Sequence, residues 1–240
     1  MKVLILNSGM GSRMGVLTSE HPKCMTEIYE NETILSRQLK LAAEAGIKDV
    51  VMTTGLFDEV LVEYCESLNL PLNFTFVKNP VYKDTNYIYS IYCARDILEG
   101  EDIILMHGDL VYEKEVFDAV VASEKSCMTV SSTLPLPEKD FKAVVRNGHV
   151  EKVGVEFFDD AMEAQALYML RKPEWKMWLD KIIEFCEAGN VKCYAETALN
   201  EISDECIILP PDVKDLLCSE IDNPEDLAVV SAKIKEIMER

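Results

Sequence analysis

The chain has 240 residues, 48% of them hydrophobic, with 43 acidic against 24 basic side chains and a formal net charge of -19. That length suits one large α/β domain or two small ones with a sizeable core, whereas the acidic balance argues against nucleic-acid binding, which calls for a basic surface. No run of about 18 apolar residues is present to cross a bilayer, and the N-terminal apolar run is broken at Asn7, Ser8 and Gly9 before it could form a signal-peptide core; a cytoplasmic protein is expected.

Lys2 to Leu6 is a continuous apolar run that predicts a strand buried on both faces, leading into the loop from Asn7 to Gly15. Residues 34–46 read as a helix stopped by a glycine. Strands at 49–54 and 73–77 alternate with helices at 58–67 and 86–98, and a second buried strand at 102–106 ends in His107-Gly108-Asp109. This alternation through short loops predicts an α/β fold, a Rossmann-like three-layer α/β/α sandwich with a mixed, mostly parallel sheet and ligands at the carboxyl ends of the strands. Beyond Asp109 the pattern changes to shorter strands at 128–132, 142–146 and 149–155, the last two joined through an Asn147-Gly148 turn. Residues 159–164 (DDAMEA) read as solvated surface. An amphipathic helix is expected at 175–188, and a final helix at 224–240 with Asn223 as its cap and Pro224 in the first turn.

The eight cysteines form no C-x-x-C pair and sit mostly among apolar neighbours, which argues against zinc and against a disulfide framework. His107 is read as meeting local hydrogen-bond needs. Trp175 and Trp178, three apart on a helix, fit the core or a dimer contact; apolar helix faces allow a homodimer without requiring one.

Gly9, Gly11 and Gly15 let backbone N–H groups approach phosphate oxygens. The spacing excludes the known dinucleotide and P-loop fingerprints: Met14 occupies the third glycine position of G-x-G-x-x-G, no acidic residue ends the second strand, and there is no G-x-x-x-x-G-K-[ST]. Two cations follow the glycines, Arg13 and Lys23, and cations at a phosphate cradle are what phosphoryl or nucleotidyl transfer needs. The plainer alternative is a glycine turn followed by exposed basic residues.

The stretch LNSGMGSRMGVLTSEHPKCMTEI resembles the signature of the nucleotide-sugar pyrophosphorylase superfamily, L-A-A-G-x-G-x-R-x-x-x-x-T-x-x-x-P-K, departing from it at Asn7 and Ser8. Three further segments, NPVYKDTNYIYSIYCARDIL, HGDLVYE and SEIDNPEDL, are similar to elements of its phosphocholine cytidylyltransferase-like branch. The resemblance implies a fold of the nucleotide-diphospho-sugar transferase type and an Mg2+-dependent transfer of CMP from CTP to a small phosphorylated or phosphonylated acceptor. It implies that Arg13 and Lys23 are catalytic and that Leu6, Asn7, Ser8, Gly9, Gly11 and Ser12 bind the phosphates. It further implies that Thr54, Gly55, Asn86 and Ser90 border base and ribose and that Asp109 and Asp222 bind magnesium. Mg2+ suits two aspartates from separate strand ends, since it keeps waters and phosphates as its other ligands; in isolation the two would read as a turn aspartate and a surface charge. A single domain 1–240 is expected, with a nucleotide-binding half to about 112, an acceptor-side elaboration over about 125–215 and a metal-bearing segment from about 218.

An acceptor phosphate or phosphonate is already ionised near neutral pH and needs cations rather than a general base. Lys142, on a strand, is the preferred acceptor ligand, with an exposed strand lysine as the alternative. Choline-phosphate relatives surround the cationic head with aromatic and acidic groups; here Tyr194 and Glu196 are the counterparts, but Ala195 stands where those relatives have tryptophan. Glu196 therefore points to an amino-bearing acceptor such as phosphoethanolamine, an aminoalkylphosphonate or a phospho-amino acid. Two other readings are a sugar-1-phosphate nucleotidyltransferase and a noncatalytic nucleotide-binding regulatory domain. The second would be marked by loss of Arg13, Lys23, Asp109 or Asp222, and all four are present.

Overall fold

The computed structural model describes residues 1–239; Arg240, at which the last predicted helix ends, lies outside them. Strand β1 (Lys2–Leu6) is followed by 3-10 turns at Ser12–Thr18 and Lys23–Met25 and by a small ribbon of β2 (Glu27–Tyr29) and β3 (Glu32–Thr33). Helices and strands then alternate: α1 (Ile34–Glu44), β4 (Asp49–Thr54), α2 (Asp58–Ser67), β5 (Asn73–Lys78), α3 (Tyr87–Leu98) and β6 (Ile103–His107). The second half contains β7 (Leu110–Tyr112), α4 (Lys114–Ala122), β8 (Cys127–Ser131), β9 (Lys142–Arg146), β10 (His149–Gly154) and β11 (Ala161–Leu170). It closes with α5 (Lys172–Glu187), α6 (Ala195–Asn200), β12 (Cys218–Glu220) and α7 (Pro224–Met238).

The central sheet is mixed, in the order β10-β9-β11-β6-β1-β4-β5, with β8 alongside β11. Strands β6, β1, β4 and β5 run parallel, and β11 joins them antiparallel to β6. Side-chain alternation sends Leu4 and Leu6 of β1 into one core with Trp175 and Trp178 of α5, and Val3 and Ile5 into another with Leu35 and Leu39 of α1. Both faces are thus covered by helices, as the unbroken apolar run of β1 requires. The two tryptophans lie in the core, their indole N–H groups donating to the Leu98 and Ala195 carbonyls at 2.9 Å.

A third, smaller core holds Met14, Ile28, Ile34, Val111, Leu217, Ile221, Val230 and Ile234. It fastens the glycine loop, through Met14, to α7 and to the residue preceding Asp222. Two capping boxes sharpen this region. Thr33 and Ser36 exchange side-chain bonds with each other's backbone N–H at the start of α1, and Asn223 and Asp226 do the same at α7.

The expected strand–helix alternation of the first half is present. The segment read as solvated is not: Asp159 and Asp160 are exposed, but Ala161 opens β11, and Glu163 and Ala164 are buried. Ala, Met, Glu, Gln and Leu favour helix, and none is β-branched, so β11 is imposed by its neighbours β6, β8 and β9 rather than by its own propensity. Leu167→Ala, at the middle of this strand and fully buried, is expected to cost about 2–5 kcal/mol. The midpoint of denaturant unfolding measures this, and a shift below about 0.5 kcal/mol would contradict a core position.

Candidate functional site

The carboxyl ends of β1 and β6 open into a cleft of three adjoining cavities. The first, about 280 Å3, is lined by Leu6, Asn7, Gly9, Gly11, Ser12, Arg13, Lys23, Gly108, Asp109 and Asp222. The second, about 180 Å3, is lined by Ser8, Asn79, Tyr82, Asn86, Tyr87, Ser90 and His107, and shares Leu6, Gly9 and Asp109 with the first. The third, about 150 Å3, is bordered by Arg13, His107, Asp109, Lys139, Asp140, Phe141, Tyr194, Glu220 and Asp222.

The two aspartate segments meet through a short antiparallel ribbon in which β12 pairs with β7 and the Ile221 N–H donates to the Asp109 carbonyl at 3.0 Å. From the other side, Gln38 of α1 donates to the His107 and Leu110 carbonyls at 2.9 and 2.8 Å and braces the turn that carries Asp109. Lys23 lies between the carboxylates: its Nζ contacts Asp109 Oδ2 and stands 2.8 Å from Asp222 Oδ1. Arg13 Nη1 reaches the other Asp222 oxygen at 2.8 Å. Burial alone would lower the Lys23 ammonium, but Asp109 and Asp222 outweigh it and hold the amine above its ordinary value. Burial likewise works against the Asp109 carboxylate, which Lys23 and His107 nevertheless hold below its usual value.

The loop fits closely over this quartet. Gly11 has φ +61, and a Cβ there would come within 3.3 Å of the Lys23 Cβ. A Cβ on Gly55 would fall 2.6 Å from the Ser8 carbonyl oxygen, so Gly55 supports the loop from beneath. Asn7 Nδ2 and Ser8 Oγ are buried with no hydrogen-bond partner, as expected of groups kept for a polar ligand.

Of the base-side candidates, Asn86 caps α3 by accepting from the Tyr87 N–H at 2.7 Å and borders the second cavity. Ser90 borders it too, its hydroxyl accepting from Asn79 Nδ2 at 3.0 Å. Thr54 is buried and its hydroxyl donates to Asp58; neither it nor Gly55 lines a cavity of the cleft.

The acceptor-side expectations need two corrections. Lys142 is 0% exposed, with Nζ donating to the Pro137 and Asp140 carbonyls at 2.6 and 3.0 Å beside the Phe158 ring. Strand alternation turned it inward, burial lowers its amine, and Lys139 is the lysine that borders the third cavity. Glu196 is 1% exposed and accepts from the Tyr87 and Tyr168 hydroxyls, so it fixes a wall rather than facing a ligand. Tyr194 does border the cavity, 38% exposed, with its ring 5.1 Å from that of Phe141.

Sequence reasoning missed Glu220 and Asp140. Glu220 stands two residues before Asp222, and it shares one group of neighbouring metal-ligand atoms with Asp140 and Asp222 and another with His107 and Asp109, each group within 4.8 Å. The E-x-D spacing on a strand end was the available signal. Burial raises the Asp140 carboxyl, and Asp222 and Asp226 add to the effect. His107 is not the locally satisfied histidine expected: Nδ1 is 2.7 Å from Glu220 Oε1, but Nε2 is buried and unpartnered. Its burial favours the neutral ring, yet Glu220, Asp109 and Glu196 raise its pKa from 6.5 to about 9.

Residues 3–134 match the MobA-like NTP transferase domain. The chain belongs to that family. As a nucleotidyltransferase it is 27% identical over 203 residues, 78% of each chain, to a CTP:phosphoglutamine cytidylyltransferase of Campylobacter jejuni subsp. jejuni serotype O:2. It is also 27% identical over 182 residues to a CMP-5'-(3-aminopropyl)phosphonate synthase of Streptomyces rubellomurinus, covering 71% of this chain but 28% of that one. Among solved structures, the CTP:phosphocholine cytidylyltransferase of Streptococcus pneumoniae superposes with a TM-score of 0.75 at 19% identity, over 97% of this chain and 98% of that one. An inositol-1-phosphate CTP transferase from T. maritima gives 0.78 at 21%, over 98% and 96%. These likenesses support the nucleotide-diphospho-sugar transferase fold. Among the described residues no helix is long and apolar enough to cross a membrane.

Gly108 offers a direct test of the loop. A Cβ there would lie 1.6 Å from Asn7 Oδ1, so Gly108→Ala is expected to push the Asn7 side chain out of place. The expected cost is about 1–3 kcal/mol of stability and about tenfold in nucleotide affinity. Calorimetric titration beside a melting curve measures both, and unchanged nucleotide affinity would remove Asn7 from the binding surface.

Proposed function

We propose that the protein is a cytidylyltransferase that moves CMP from CTP onto a small phosphorylated or phosphonylated acceptor bearing an amino group. The observation that carries this reading is the quartet of Arg13, Lys23, Asp109 and Asp222: all four line the first cavity, and Arg13, Asp109 and Asp222 also border the third. Two cations beside a glycine loop suit a triphosphate in an otherwise acidic chain. The acceptor oxygen bonds to the α-phosphorus while the bond from that phosphorus to the bridging oxygen breaks, and pyrophosphate leaves with the electron pair. The attacking oxygen is already anionic, so no base is required.

The carboxylate set suits magnesium, a hard ion that takes oxygen ligands and keeps several waters. Asp109 and Asp222 would hold it, with Glu220 and Asp140 nearby, and it would supply charge neutralisation at the phosphates. Lys23, now held by both carboxylates, and Arg13, held by Asp222, line the loop cavity and are placed to meet phosphate oxygens.

For the acceptor, Arg13 and Lys139 offer positive charge to its phosphate, while Phe141, Tyr194, Asp140 and Glu220 suit a cationic amine. The names of the relatives agree in kind, referring to phosphoglutamine, an aminopropylphosphonate and choline-phosphate. The aromatic and acidic lining of the third cavity suits a cationic acceptor better than a neutral hexose.

The test is pyrophosphate release with each of the four NTPs against phosphocholine, phosphoethanolamine, 2-aminoethylphosphonate, phosphorylated amino acids and hexose-1-phosphates. Release is expected with CTP and an amino-bearing acceptor, and its loss with EDTA. Turnover of a hexose-1-phosphate with UTP instead would overturn the substrate assignment while leaving the transfer chemistry.

A further inference from the structure

His107 has no role in the reading above, yet its geometry is that of a prepared ligand. Nδ1 lies 2.7 Å from Glu220 Oε1, and the ring packs edge-on against Tyr87 with centroids 4.7 Å apart and near Phe141 at 6.1 Å. Its carbonyl accepts from Gln38 Nε2 at 2.9 Å, and its backbone is in register with Leu6 across the parallel pair of β6 and β1. The imidazole is therefore packed beside two aromatic rings and held at one nitrogen and at its backbone. The other nitrogen, Nε2, is buried without a partner, and an unpaired buried polar atom is costly enough to call for a reason.

Its place supplies one. His107 and Asp109 border both the second and the third cavity, and Asp109 is engaged by Lys23. Nε2 is thus an uncommitted buried atom on a residue that borders both the loop side and the side of Tyr194 and Phe141. We propose that His107 is a catalytic residue: its Nε2 contacts a phosphate oxygen where nucleotide and acceptor meet, with Glu220 as the positioning residue behind it. This rests on nucleotidyl transfer taking place in this cleft. The contact is a hydrogen bond from Nε2–H to an oxygen gaining charge as the new bond to the α-phosphorus forms and the bond to pyrophosphate breaks. Nothing is oxidised and His107 keeps its proton. A donor fixed before the reaction has the most value there, because no reorientation is needed as charge develops.

Two substitutions separate this role from a merely structural one. Glutamine places its side-chain nitrogen roughly where histidine has Nε2, whereas asparagine places it roughly where histidine has Nδ1. His107→Asn keeps a partner for Glu220 and loses the contact made by Nε2; His107→Gln does the reverse. With the full-length protein, the NTP and acceptor that the wild type turns over, and melting curves to verify folding, kcat is expected to fall about 100-fold in His107→Asn. The expected fall in His107→Gln is about tenfold, with the CTP dissociation constant of both within about threefold of wild type. Asparagine matching or exceeding glutamine, or both variants keeping wild-type kcat, would overturn the assignment. So would a magnesium requirement shifted more than about tenfold in both, which would make His107 part of the metal-holding set. Silence of the wild type with all four NTPs and every acceptor would instead overturn the reading of the cleft, and this inference with it.

Discussion

The contact on which the rest of the cleft depends is that of the Lys23 ammonium with the carboxylates of Asp109 and Asp222. A lysine this enclosed stays charged only if its lost hydration is replaced, and each carboxylate in turn needs a cation. The surrounding structure meets that need from three directions. The glycine loop covers Lys23, α1 braces the turn that carries Asp109 through Gln38, and the pairing of β7 with β12 brings in a segment from the far end of the chain. Asp226, by accepting from the Asp222 N–H at 3.0 Å, fixes the last of these at the start of α7. Four charges drawn from three separate segments are balanced in a cleft open to solvent, within a chain of net charge -19.

This balance shapes what the site can take. A ligand that meets only the cations must win them from their carboxylates, and one that meets only the carboxylates must win those from the cations. A triphosphate with a divalent metal satisfies both sets together, which favours such a ligand over either part alone. The remaining polar atoms divide by cavity. Asn7 serves the first cavity, Ser8, Asn86 and Ser90 the second, and Asp140, Glu220 and Tyr194 the third. Glu196 ties two of these regions together by holding Tyr87, whose ring packs against both His107 and Tyr194.

The parallel half of the sheet could be read from the sequence because each buried strand there is a short apolar run bounded by loop residues, and periodicity reports burial directly. The glycine loop and its cations were legible because their spacing is dictated by local backbone geometry. Strand β11 was not, since its composition favours helix and only pairing with distant strands makes it extended. Lys142 and Glu196 show a second limit. Both are charged residues in suitable segments, and only the packing of the acceptor side reveals that one is capped by backbone carbonyls and the other by two tyrosines. Glu220 left only the E-x-D spacing as a local trace, and its pairing with His107 emerges only when β12 is laid against β7.

The most direct measurement is a crystal structure with a nonhydrolysable CTP analogue and Mn2+ in place of Mg2+, using the anomalous signal to locate the ion. The account predicts a peak at coordination distance from Asp109 and Asp222, with Lys23 and Arg13 turned from those carboxylates onto phosphate oxygens. A nucleotide bound elsewhere, or bound with the Lys23 pairs intact and no metal between the aspartates, would contradict it.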